Sequence, residues 1–279
     1  MTLALHGKSR QRRTWLLMAA LVAIVFGISG SLMLNREGTR ADSATINFDA
    51  YALGNINGQD GWSKTGPFDV EVVADGGGKA LRISDAVTSG SFGDQTFSKS
   101  LVDEAGETLA TNGGMSGGTR QNHFEVSWDI KSFTGSAQTG LTVSFAPDRG
   151  DGGRMSYFRV EDNGSGLDVF FYDVQQPGPC TPVFCANFVE TQVATGLNYT
   201  SYHNLKLVID FRDGPANDLV RGYVNGNLVI TGTTWEDYFR YDPEASADPT
   251  THTVDSLLIR VSATAYPDPT PGAPLARAT

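Results

Sequence analysis

Residues 123–131 read His-Phe-Glu-Val-Ser-Trp-Asp-Ile-Lys, with Phe124, Val126, Trp128 and Ile130 alternating against polar neighbours. A pleated strand sends successive side chains to opposite faces, so this period of two marks a strand with one face in a core and one in water. Alternation or short apolar runs mark further strands at residues 45–50, 70–74, 80–84, 141–145, 155–161 and 167–174, then at 205–211, 220–225, 228–231 and 254–262. Turn formers separate them: Asp75-Gly76-Gly77-Gly78, Asp151-Gly152-Gly153, Asn163-Gly164-Ser165-Gly166 and Asp213-Gly214-Pro215. Asn225-Gly226 between two β runs is the strongest of these signals, because a type I′ hairpin turn needs positive φ at both positions.

Many short strands at regular spacing, each with one apolar face, predict an all-β fold of two antiparallel sheets packed as a β-sandwich. Residues 42–265 suit one such domain, with residues 109–119, rich in Gly and Thr, as a loop inside it. Residues 266–279 hold four of the 12 prolines and read as a disordered, polyproline-type tail.

Residues 1–41 differ from the rest. Lys8, Arg10, Arg12 and Arg13 precede an uncharged apolar run from Trp15, followed by Ser29, Gly30 and Ser31. This is the order of a secretory signal, and the run extends to Leu34 if it is retained as a membrane anchor, a single N-terminal hydrophobic helix through residues 15–34. Both readings leave the basic end in the cytoplasm and place the body outside, secreted or anchored. Six of the 21 basic residues and one of the 31 acidic ones lie in residues 1–40, leaving 15 basic against 30 acidic beyond them. So acidic a body repels phosphate backbones, which argues against a nucleic-acid partner. Cys180 and Cys185, among the turn formers Pro177-Gly178-Pro179 and Pro182, are expected to pair as a disulfide in an oxidising compartment. A loop so short would stabilise the fold by only ~2 kcal/mol.

Several segments carry a family resemblance. They are Phe48-Asp49-Ala50-Tyr51 through Gly58-Gln59-Asp60-Gly61-Trp62, Gly90-Ser91-Phe92-Gly93-Asp94-Gln95-Thr96-Phe97-Ser98, and Ala146-Pro147-Asp148-Arg149-Gly150-Asp151-Gly152. The most specific runs from His203-Asn204-Leu205 through Tyr223-Val224-Asn225-Gly226-Asn227-Leu228 to Thr234-Trp235-Glu236-Asp237-Tyr238. Over residues 45–262 the chain resembles the concanavalin A-like lectin/glucanase superfamily, in the laminin-G-like jelly rolls of secreted bacterial proteins. The resemblance implies a concanavalin A-like jelly roll in an extracellular setting and transfers no active site. One feature departs from it: the closing strand that such proteins pair beside their first strand is not readable, which would leave that first strand at an open edge.

Candidate chemistry is sparse. Glycoside hydrolysis needs two carboxylates about 5–5.5 Å apart for retention or ~6.5–9.5 Å for inversion. Glu125 and Asp129 share a strand face but lie roughly 13–14 Å apart at a strand's rise, leaving Glu161 or Asp173 as cross-strand partners. His123, Tyr157 and Arg159 are the residue types of a polysaccharide lyase, and exposed sheet faces carry such mixtures without catalysis. Asp148 and Asp151 offer two carboxylates in a Gly-rich loop, a candidate calcium site, although Asp-Gly pairs are also ordinary turn chemistry. For an extracellular glycan partner, the candidates are Trp235 and Tyr238 after the last hairpin, with Tyr157, Arg159, Asp129 and Tyr172 on a polar sheet face. The competing role for Trp235 is to cap the core. Trp128 and Trp62 are assigned to the core. The resulting expectation is a non-catalytic, lectin-like module; a hydrolase or lyase of the same fold and a structural or adhesive surface protein are the alternatives.

Overall fold

A computed structural model describes residues 46–66, 69–84, 95–101, 123–148, 156–175, 187–212, 217–235, 254, 256–261 and 274–278. The expected leader, Cys180, Cys185, Asp151 and Tyr238 lie outside them. Among the described residues no helix is long and apolar enough to cross a membrane.

The chain forms strands β1 (Gly54–Asn55), β2 (Ser63–Lys64), β3 (Asp69–Asp75), β4 (Gly78–Ser84), β5 (Gln95–Phe97), β6 (His123–Ser132) and β7 (Thr142–Asp148). There follow β8 (Tyr157–Asp162), β9 (Leu167–Gln175), β10 (Asn187–Leu197), β11 (His203–Asp210), β12 (Leu219–Val224), β13 (Asn227–Gly232), β14 (Ser256–Val261) and β15 (Pro274–Ala278). They pair into an eight-stranded sheet ordered β1-β3-β4-β15-β6-β11-β12-β13 and a seven-stranded sheet ordered β10-β9-β8-β7-β14-β5-β2. Every pairing is antiparallel.

One core joins the two sheets. Val126, Trp128 and Ile130 of β6, Leu205, Leu207 and Ile209 of β11, and Val143, Phe145, Phe158 and Val160 of β7 and β8 belong to the same buried cluster. The Trp128 and Phe145 rings meet across it at 5.9 Å. Trp62 is likewise buried, against Phe48 at 5.6 Å. Asn225 and Gly226 have φ of 50° and 79°, the turn expected between β12 and β13.

The sheets approach closely at Gly222 on β12. A Cβ there would lie 2.5 Å from Ile230 Cγ2 and 2.9 Å from Phe158 Cζ. Because a packed core cannot absorb a methyl group without moving side chains off their rotamers, Gly222→Ala is expected to lower stability by about 1–3 kcal/mol in a urea titration.

Six elements differ from the expected strands, among them the short β1, β2 and β5, which were not expected. Residues 46–50 form no strand, although Ile46 and Phe48 are buried in the core. The eleven residues of β10, not expected from the sequence, form the edge of the seven-stranded sheet beside β9, with two register shifts. Pro274–Ala278, expected within an unpaired tail, instead pair with β4 on one side and β6 on the other. The slot explains the pairing: without β15, backbone donors and acceptors of both neighbours would face each other across a gap. Pro274 opens the strand, where a missing N–H is best tolerated.

Candidate functional site

The face of the seven-stranded sheet turned away from the core gathers most of the expected binding residues. On β8, Phe158 and Val160 enter the core, so Tyr157, Arg159 and Glu161 take the opposite face. Register brings Tyr157 beside Tyr172 and Arg159 beside Phe170 of β9, with Glu190 of β10 beyond Tyr172.

The Tyr157 and Tyr172 rings stack with centroids 4.8 Å apart and planes 5° from parallel. The Arg159 guanidinium lies 4.6 Å over the Phe170 ring and 5.3 Å from that of Tyr172. The same guanidinium nitrogen is 2.9 Å from Glu190 Oε1 and 3.3 Å from Glu161 Oε2. On the other flank Tyr157 meets Trp235 at 5.7 Å, and Trp235 meets the edge of Phe188 at 4.9 Å. The result is a continuous band of aromatic rings ending in a clamped arginine.

Trp235 reaches this band through two buried carboxylates. Asp173 Oδ1 accepts from Thr233 Oγ1 at 2.7 Å and Asp173 Oδ2 from Thr233 N at 3.1 Å. Asp218 Oδ2 accepts from Thr234 Oγ1 at 2.7 Å, and Ser156 Oγ donates to Thr233 O. Trp235 is only 4% exposed, so it supports Tyr157 and Phe188 and offers little ring face to a ligand. Asp173→Ala leaves the half-buried Thr233 N–H without its acceptor, at a cost of about 1–3 kcal/mol, while Thr233 Oγ1 keeps Val174 O at 2.9 Å. The variant is expected to melt earlier and to make the Trp235 segment more accessible to proteolysis.

Asp129 does not join this site. It lies on β6 of the other sheet, where its Oδ1 accepts from Asn204 Nδ2 at 2.8 Å. His123 is also on β6, 2.7 Å from Asp210, which a guanidinium nitrogen of Arg221 approaches at 2.6 Å. The lyase set of His123, Tyr157 and Arg159 is therefore split between sheets. The His123 hydrogen bond, aided by Arg221, holds the Asp210 carboxyl below its ordinary range against the opposing effect of burial. A depressed carboxyl stabilises the fold above its unfolded value, about 3.9, and that contribution is lost as pH falls through the lower folded value. Melting followed from about pH 5 to about pH 2 should accordingly fall less steeply for Asp210→Asn than for the parent.

Asp148 is fully buried, and its Oδ1 accepts from Ser256 Oγ at 3.1 Å. Among the described residues there is no group of three or more His, Cys, Asp or Glu able to hold a metal ion. Glu161 on β8 and Asp173 on β9 belong to the seven-stranded sheet, so neither is the cross-strand partner expected for Glu125 or Asp129 on β6. Glu161 and Glu190 do come close, but both are ion-pair partners of one Arg159 nitrogen, an arrangement unlike two carboxyls flanking an open bond. Phe170, Phe188, Glu190 and the anchors Asp173 and Asp218 were not expected in the binding site.

No family model matches the chain, and no curated protein is significantly similar to it. Solved structures similar to it at low identity include a carbohydrate-binding module, a lyase and a glucanase. A carbohydrate-binding module, CBM66 from Bacillus subtilis, is 12% identical with a TM-score of 0.36, over 79% of this chain and 94% of that one. An endo-β-1,4-glucuronan lyase from the fungus Trichoderma reesei is 14% identical with a TM-score of 0.38, over 78% and 97%. An endo-1,3-β-glucanase from Streptomyces sioyaensis is 13% identical with a TM-score of 0.43, over 85% and 95%. At these identities and scores the likeness decides neither activity nor ligand.

Proposed function

We propose that this protein is a non-catalytic carbohydrate-binding module working outside the cytoplasm, with the outer face of the seven-stranded sheet as its binding surface. The observation that carries the reading is the stacked Tyr157–Tyr172 pair beside Arg159, itself held by Glu161 and Glu190. Sugar rings present apolar C–H faces and a rim of hydroxyls. Aromatic side chains with polar tips suit the first, and planar charged donors and acceptors suit the second. The rings and the clamp are fixed by strand register and ion pairs, so little side-chain freedom is lost on binding. The basic-then-apolar leader supports the setting, with residues 15–34 as the membrane contact if it is retained.

Affinity electrophoresis of the full chain in gels containing soluble polysaccharides, with product analysis of the same mixtures, tests this reading. Retardation without chain cleavage is the expected result. Steady release of shorter saccharides would replace the module with an enzyme, and no retardation in any gel would remove the carbohydrate reading.

A further inference from the structure

We infer that the ligand of this face is a neutral glycan and that polymers of uronic acids are excluded; this rests on the binding reading above. The argument begins with Arg159, the cation among the aromatic rings. A uronate is best met by a guanidinium free to take its carboxylate in a bidentate pair. Here Glu190 at 2.9 Å and Glu161 at 3.3 Å already approach one nitrogen of that guanidinium, while the Phe170 and Tyr172 ring centroids lie 4.6 and 5.3 Å from its carbon. An incoming carboxylate would meet two carboxylates for one positive charge.

The rest of the face does not reverse this balance. Among the described residues register adds Arg260, Asp148 and Asp168 to the same face, all largely buried. Two arginines thus stand against four carboxylates. Beyond the site, residues 41–279 hold 15 basic and 30 acidic side chains, so the field over the body also opposes a polyanion. A neutral sugar meets none of these penalties. Its hydroxyls can donate to the unused lone pairs of Glu161 and Glu190 and accept from the remaining N–H groups of Arg159 or from the tyrosine hydroxyls.

Isothermal titration of the full chain against neutral polymers (β-glucan, xylan, arabinan) and acidic ones (polygalacturonate, alginate, glucuronan) tests the inference without any variant. Binding to at least one neutral polymer, tenfold or more tighter than to every acidic one at physiological salt, is expected. Tighter binding to an acidic polymer would overturn the neutral-ligand inference while leaving carbohydrate binding intact; binding to none would remove both. In the double variant Glu161→Gln with Glu190→Gln, the released Arg159 should raise affinity for the acidic polymers at least tenfold. A folded double variant with no such gain would show that the two carboxylates are not what excludes uronates.

Discussion

Replacing Tyr157 and Tyr172 together by alanine is expected to weaken glycan binding at least tenfold, about 1.4 kcal/mol or more. The two rings form one stacked unit at 4.8 Å, so either one alone leaves its partner free to lean into the space, and the pair must go together to remove the surface. Tyr157 also supports Trp235, and some loosening there should accompany the change. The fold should persist, because both tyrosines lie on the face turned away from the core while Phe158 and Phe171 beside them in sequence stay buried. Circular dichroism separates loss of binding from loss of structure. Asn204→Ala, on the other sheet, serves as the control and should bind as the parent does.

Trp128→Ala is expected to be the most damaging single change to stability, about 3–5 kcal/mol. Trp128 is among the largest side chains with almost no exposure, at 1%, and it faces Phe145 across the interior. Its removal leaves a cavity bordered by both sheets, which cannot close without shifting one against the other. Trp128→Phe should cost far less. The indole Nε1 is buried with no hydrogen-bond partner among the described residues, so phenylalanine removes an unmet donor along with part of the ring. Chemical denaturation of both variants checks the order; equal losses would mean that the indole is not packed as described.

How much of this was legible depended on how consistently each strand buries one face. β6, β8 and β12 alternate between buried and half-buried positions along most of their length, and their residues could be read directly as strands. β10 lies at an edge and carries two register shifts, so neither of its faces is uniformly apolar and no period of two appears in Asn187–Leu197. Pro274–Ala278 has no β-forming pattern at all; its place follows from two neighbours that need a partner. Within the site, Tyr157, Arg159 and Glu161 were readable as one face because they alternate on a single strand. Asp129 showed the limit of that reasoning, since alternation tells which way a side chain points but not which sheet its strand joins. Phe170-Phe171-Tyr172 is apolar on both sides of the strand, so the sequence did not single out Phe170 for the outer face. The position of Trp235 rests on Asp173, sixty residues from its partner Thr233, a pairing no local pattern encodes.

Hydroxyl-radical footprinting with and without a saturating glycan tests the location of the binding surface most directly, because tyrosines on both sheets report in one experiment. Tyr157 and Tyr172 should lose reactivity when the glycan is bound, while Tyr202 and Tyr223, which contact Lys131 and Lys206 on the eight-stranded sheet, should keep theirs. Protection of Tyr202 and Tyr223 with Tyr157 and Tyr172 unchanged would place the ligand on the opposite sheet and contradict the account.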